Sequence, residues 1–274
     1  MRVRIIVAVV LLPFAFIILY FLPPYVLACA LSVICAMAVY ELIHAIVGIK
    51  GNARLCLYTM LSAVAIPVGA YFDIIPVIMP AALLILLSLV FIESIARFKT
   101  ERQLPFVHML VILFGGLAIP YLLSTLVSLR LMDGGNLLVF LPVMSAFITD
   151  GGAYFTGVLI GKRKAFPLVS PKKTVEGYIG GIFFGISAMI FCGVYIENFT
   201  AYTSVNYWAL LAYGVVGAVM TGLGDLAFSL VKRELDLKDF GRLLPGHGGA
   251  LDRFDSLIFT VPTFYLLAMA LPVV

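Results

Sequence analysis

Apolar runs long enough to cross a bilayer recur along this chain, with mostly short polar gaps between them. A spanning helix needs roughly 20 such residues, because each residue rises about 1.5 Å and the hydrocarbon core is about 30 Å thick. Windows of that size place spans near 5–22, 25–47, 55–72, 75–95, 106–129, 137–160, 177–196, 207–231 and 256–274. The expected fold class is all-α: a polytopic integral membrane protein with about nine transmembrane helices. Composition agrees, since only 12% of the 274 residues are charged and the mean hydropathy is +1.15, whereas a soluble domain carries about 25% charge. The same figures exclude a disordered or collagen-like chain. Pro23-Pro24 reads as a tight turn between the first two spans. No A-x-A-like cleavage site follows the first span and more spans come at once, so it reads as a retained helix.

Basic residues set the expected orientation. With the N-terminus, Arg2 and Arg4 in the cytoplasm and the spans alternating, every Lys and Arg except Arg130 falls on the inner side. The two long polar loops, 161–176 and 232–255, land there too. The net charge of +4 then reflects topology and an anionic lipid surface, not nucleic acid. Cys29, Cys35, Cys56 and Cys192 form no CxxC pair and read as small core residues.

Polarity is spent unevenly. Residues 1–105 read as transmembrane scaffold, and residues 106–274 as the catalytic region. Glu41, His44 and Glu93 stand near inner ends of spans and are expected to reach the interface. Asp150 and Asp225 lie inside the sixth and eighth spans. An ionised Asp there costs about 2.5–3.5 kcal/mol and persists when it faces a cavity, a cation or a partner. Gly177, Gly181 and Gly185 recur every four residues, the pattern of close helix packing, and Gly214 and Gly217 suggest the same. Gly222 and Gly224, beside Asp225, either pack or loosen the backbone for a ligand.

Two stretches concentrate chemistry. In residues 149–177, Asp150 and Tyr154 share a helical face, and Ser170, Lys172, Lys173, Thr174 and Glu176 follow the basic run Lys162-Arg163-Lys164. Hydroxyls, adjacent lysines and a helix start make a phosphate cradle. In residues 224–256, Asp225 and Ser229 are four apart, and Lys232, Arg233, Lys238 and Asp239 follow. A glycine loop with His247 then leads to Asp252, Arg253, Asp255 and Ser256. Asp carboxylates without Cys or paired His suit a hard cation such as Mg²⁺. H-E-x-x-H and the Walker loop are both absent. Carboxylates and basic loops at a membrane edge point to phosphoryl or nucleotidyl transfer, in which cations and lysines neutralise a triphosphate.

The string Ser229-Leu-Val-Lys232-Arg233, Lys238-Asp239-Phe-Gly241, Leu244-Pro245-Gly-His247-Gly248-Gly249 and Asp252-Arg253-Phe-Asp255 resembles the signature of phosphatidate cytidylyltransferases. Ser170-Pro171-Lys172-Lys173-Thr174-Val-Glu176-Gly177 is similar to that family's second hallmark. Ala250 and Gly151 depart from it, standing where a larger aliphatic and a hydroxyl residue are common. The resemblance implies CTP and phosphatidic acid as substrates, CDP-diacylglycerol and pyrophosphate as products, a requirement for Mg²⁺, a homodimer and, if the source is a bacterium, an inner-membrane location. Placed on that reaction, Asp225 and Asp252 would hold the cation or cations, with Asp255 and Asp150 as further ligands. Lys172, Lys173, Lys232, Arg233, Lys238 and Arg253 would clamp phosphates. Ser170, Thr174 and His247 would donate hydrogen bonds, and Asp239 would orient a lysine or bind metal.

Two rivals remain. An ion-coupled transporter would also hold Asp in its spans, but no internal repeat is visible and the polar residues gather at one edge. The D-G-x-x-A-R motif of CDP-alcohol phosphotransferases has no match.

Overall fold

The computed structural model describes residues 13–200, 202, 204–241 and 248–273. Among them, seven helices are long and apolar enough to cross a membrane: α1 (Pro24–Ile46), α2 (Ala53–Tyr71), α3 (Ile75–Ala96), α4 (Phe106–Leu131), α5 (Gly135–Ile160), α6 (Val175–Phe199) and α7 (Tyr207–Glu234). The protein is therefore a helical, polytopic membrane protein, as expected. An eighth helix, α8 (Leu251–Ala270), has 20 residues and opens on the charged group Asp252, Arg253 and Asp255. Much of the first expected span, with Arg2 and Arg4, lies outside the described residues, although 13–20 are helical.

The chain also forms a small antiparallel hairpin, β1 (Lys164–Phe166) with β2 (Ser170–Thr174), inside a stretch expected to be loop. Its strands are too short and too polar to show an alternating pattern, so residue spacing offers no warning of them. Thr174 ends the hairpin and starts α6: its Oγ1 accepts the Gly177 N–H at 3.1 Å, a side-chain N-cap. The Glu176 carboxylate reaches back to accept the Lys162 and Arg163 N–H groups, tying the first strand's approach to the helix start.

The fold divides into two compact units: Met1–Leu131 with Leu237–Arg253, and Met132–Asp236 with Phe254–Val274. In the first unit, α1 packs on α2, and α2 on α3 and α4. Leu42, Ile43, Leu55, Ile66, Leu86 and Ile112 fill this core. A π-helical turn, Phe114–Ala118, interrupts α4. Pro120 follows it and has no N–H to return to the Gly116 carbonyl. That carbonyl instead accepts the Ser62 hydroxyl of α2 at 2.8 Å, so the helix break is satisfied by a neighbouring span.

In the second unit α5, α6 and α7 pack on one another through small residues. A Cβ at Gly177 would lie 2.8 Å from the Ala153 carbonyl oxygen, and one at Gly214 would lie 2.6 Å from the Ile186 Cα. Gly181 and Gly185 meet Thr149, and Gly217 meets Phe264 and Ser145. The glycine pattern is thus close packing, as the spacing suggested. Gly224 belongs with it: a Cβ there would lie 2.7 Å from the Asp255 carbonyl oxygen and 2.9 Å from the Ser256 Cα. Backbone cannot yield as a side-chain tip can, so Gly224→Ala should destabilise the protein by about 1–3 kcal/mol. Gly151, where a Cβ would meet nothing within 4 Å, is the control. Gly151→Ala should be neutral or slightly stabilising, since alanine is the better helix former by about 1 kcal/mol. Thermal unfolding of both variants in one detergent checks the contrast.

Candidate functional site

Lys173 is the next-to-last residue of β2, which carries its side chain to α7. There its ammonium pairs with the Asp225 carboxylate of α7. The same Asp225 accepts the Ser229 hydroxyl at 3.3 Å, one helical turn further on. Beyond Ser229 on the same helix, Lys232 is buried and reaches Asp255 of α8 at 3.9 Å. The first oxygen of Asp255 also accepts the N–H of Ser256 at 2.7 Å. Ser256 in turn points its hydroxyl at Asp150 of α5, at the long distance of 3.5 Å. Three carboxylates from three helices and two lysines thus share one locality. Asp150 stands in electrostatic reach of Asp225, Lys173 and Asp255.

Lys173 also lies 5.4 Å from the centre of the Tyr178 ring, a cation–π arrangement. Burial alone would lower its pKa, but the Asp225 carboxylate, helped by Tyr178, more than offsets this and holds it above the ordinary lysine value. Lys173 therefore stays charged at any physiological pH. Arg233 turns the other way, and its Nε donates to the Val169 carbonyl at the hairpin turn, 3.2 Å away. That bond ties the end of α7 to the β1–β2 connection.

The first unit carries a second cluster, made of backbone and acid. Asp252 is buried, and its Oδ2 accepts two main-chain N–H groups, Phe240 at 2.9 Å and Gly249 at 3.1 Å. One carboxylate oxygen thereby draws both ends of the glycine-rich segment together. Gly248 adopts φ +85°, the left-handed region that favours glycine. A Cβ there would sit 3.4 Å from the carboxyl oxygens of both Asp239 and Asp252.

Not every expected site residue joins these clusters. Lys172, Lys238, Asp239 and Arg253 are exposed. Ser170 is half-buried in β2. Thr174 and Glu176, expected to face substrate, engage the helix cap and the hairpin's main chain. Asp150 lies within its span, as expected, and is exposed there. His247 lies outside the described residues. Glu41, expected at the interface, is only 2% exposed and accepts the Leu251 N–H. The sequence signal for Glu41 is slight: a single acid in an otherwise apolar run. Cys35 and Cys56 are buried as expected, while Cys29 is exposed.

The second unit offers oxygen donors only, from Asp150, Asp225 and Asp255, the chemistry of a hard cation such as Mg²⁺. Among the described residues no three His, Cys, Asp or Glu side chains form a ready cage. Mg²⁺ commonly takes one or two carboxylates and completes its shell with water and substrate phosphates. Carboxylates beside lysines in a helical membrane protein are chemically suited to phosphorylated substrates and the cations those bring.

The match to known proteins narrows this chemistry. The chain fits the model of the cytidylyltransferase family over residues 2–271, and it belongs to that family. It is 42% identical over 142 residues to the phosphatidate cytidylyltransferase of Bacillus subtilis (strain 168), covering 52% of this chain and 51% of that protein. The phosphatidate cytidylyltransferase of Staphylococcus aureus (strain COL) is 43% identical over 121 residues, 44% of this chain and 45% of that one. That of Staphylococcus haemolyticus (strain JCSC1435) is 39% identical over 135 residues, 49% and 50% of the two chains. The matched stretch spans about half the length of these curated relatives.

The Lys173–Asp225 pair makes a checkable statement about pH. Because the folded pKa of Lys173 is raised, the pair's contribution to stability is complete below the unfolded lysine value of about 10.4 and is lost as pH rises through the folded value. The difference in thermal stability between wild type and Lys173→Met should therefore stay constant from about pH 7 to 9 and shrink only above about pH 10.4.

Proposed function

We propose that this protein transfers the cytidylyl group of CTP to phosphatidic acid, giving CDP-diacylglycerol and pyrophosphate. Family membership narrows the chemistry to cytidylyl transfer. The observation that carries the reading to this chain's residues is the gathering of Lys173, Asp225, Lys232 and Asp255 around one locality of the second unit. The relatives' names supply the lipid substrate.

Phosphatidic acid keeps its acyl chains in lipid and presents its phosphate at the membrane surface. A phosphate monoester has a second pKa of about 6, so the attacking oxygen is already anionic at neutral pH and needs no strong general base. It attacks the α-phosphorus of CTP. The bond from that phosphorus to the bridging oxygen breaks, and the electron pair leaves with pyrophosphate. Lys173 and Lys232 hold phosphate oxygens and offset the charge that grows on the leaving group. Asp225 and Asp255, with Asp150 beside them, would hold Mg²⁺. When bound, the cation neutralises the triphosphate and polarises its phosphoryl oxygens. Ser229 and Ser256 orient the carboxylates they touch. Arg233 steadies the hairpin that carries Lys173. Asp252 holds the main chain at Phe240 and Gly249 together.

In this proposal the N-terminus and the loops 161–176 and 232–255 face the cytoplasm, the side on which CTP is made, from the inner membrane of a bacterial cell. The proposal includes a homodimer, which mass measurement of the detergent-solubilised protein tests.

Purified protein in detergent, given phosphatidic acid and Mg²⁺, should release pyrophosphate with CTP and not with ATP, GTP or UTP. Chelation or omission of the lipid should stop it. Asp225→Asn should lower kcat by at least about 100-fold while the protein stays folded, since a group at the reacting phosphates acts chiefly in the transition state. Absence of pyrophosphate with every nucleotide, from folded protein supplied with lipid, would overturn the proposal.

A further inference from the structure

Glu41 lies in α1, among the apolar residues Ala38, Val39, Leu42 and Ile43, all of them buried. At 2% exposure its carboxyl group has left water almost completely. A buried carboxylate needs compensation, and Glu41 obtains it from an element far away in sequence. Its Oε2 accepts the N–H of Leu251, the first residue of α8, at 3.0 Å and 210 positions along the chain. Leu251 N–H is one of the unsatisfied donors at a helix start, where a negative charge is also favoured by the helix dipole. The carboxylate of one helix thus caps another.

The surrounding backbone is shaped to let it in. A methyl group at Gly241 or at Gly249 would overlap the Glu41 carboxyl group. Both residues have ordinary negative φ, so their glycine identity answers to space, not to conformation. Gly249 also donates its N–H to Asp252. Glu41 therefore lies against Gly241 and Gly249, beside the two N–H groups that Asp252 accepts, those of Phe240 and Gly249. Its second oxygen, Oε1, is buried without a hydrogen-bond partner among the described residues.

We propose that Glu41 is a positioning residue for cytidylyl transfer: it fixes the first turn of α8, which carries Asp252 and Arg253, together with Gly241 and Gly249. The proposal rests on the functional reading above. Glu41 touches no substrate and acts through Leu251 and Gly249.

The test compares wild type with Glu41→Gln, using hydrogen exchange on peptides covering 237–241 and 248–256 together with steady-state kinetics. Gln matches the shape and keeps one acceptor for the Leu251 N–H, but it loses the negative charge favoured at the start of α8 and puts an NH2 donor beside main-chain donors. Exchange should quicken in those peptides and not in α2 or α3. kcat should fall by about 10-fold or more, the size expected from a small misplacement of reacting groups. The KM for CTP should change by less than about twofold, because uniform binding is untouched. Glu41→Asp keeps the charge and should recover part of kcat. A Glu41→Gln protein with kcat within about twofold of wild type, or with quickened exchange spread evenly over α1–α4, overturns the proposal. If Glu41→Gln does not fold, Gly249→Ala pushes the carboxyl group aside while Glu41 itself stays in the chain. It should show the same local exchange and the same loss of kcat, and wild-type values there overturn the proposal. A wild-type protein without CTP-dependent pyrophosphate release defeats the functional reading alone. The exchange comparison then still decides whether Glu41 holds α8, and unchanged exchange in 248–256 refutes the pin.

Discussion

The ion pair between Lys173 and Asp225 is the interaction around which the second unit's charged side chains are arranged. A carboxylate inside a spanning helix is tolerated only with a partner, and here that partner comes from a strand end outside the helices. For the strand end to reach α7, the hairpin must start close to α6 and α5. The glycine contacts supply that closeness, with Gly177 against the backbone of α5 and Gly214 against the backbone of α6. Arg233 and Glu176 then brace the hairpin at two places through its main chain. Close packing and charge pairing are two parts of one arrangement: without the first, the second would have no reach.

Acids in this protein do two kinds of work. Asp225 and Asp255 face ammonium groups, and their oxygens are suited to cations and to substrates that bring cations. Glu41, Asp252 and Glu176 face main-chain N–H groups instead. A carboxylate that accepts several N–H bonds organises backbone as a cap does, with stronger bonds than a neutral acceptor gives. The division does not follow helix position: Asp252 and Asp255 both stand in the first turns of α8, yet one meets the N–H groups of Phe240 and Gly249 and the other meets Lys232.

Much of this is legible from the chain alone. Apolar length locates the long helices, because a bilayer leaves the backbone no alternative to satisfying itself. Four-residue spacing announces that Gly177, Gly181 and Gly185 pack. The same string that announces a phosphate cradle also holds the hairpin, which residue types do not reveal. Thr174 and Glu176 precede an apolar run in the manner of helix-start residues, yet the cradle pattern points their hydroxyl and carboxylate at substrate. A capping residue and a phosphate-binding residue are chemically alike, and only the position of the nearest N–H tells them apart. Gly222 and Gly224 are ambiguous in sequence for a similar reason. Gly224 proves to be a contact with the backbone of Asp255 and Ser256, across a sequence gap no periodicity can bridge.

What the sequence determined by itself was the class: a helical membrane protein whose acids and lysines gather in its second half, with a signature specific enough to point to cytidylyl transfer. Those features are local or additive, so residue types and spacing carry them. What only the tertiary structure decided was pairing. Lys173 with Asp225, Lys232 with Asp255, and Glu41 with the start of α8 each join residues well separated in the chain. Whether an acid meets an ammonium, an N–H or the open surface depends on which helices approach, and that is set by packing that no short window of sequence contains.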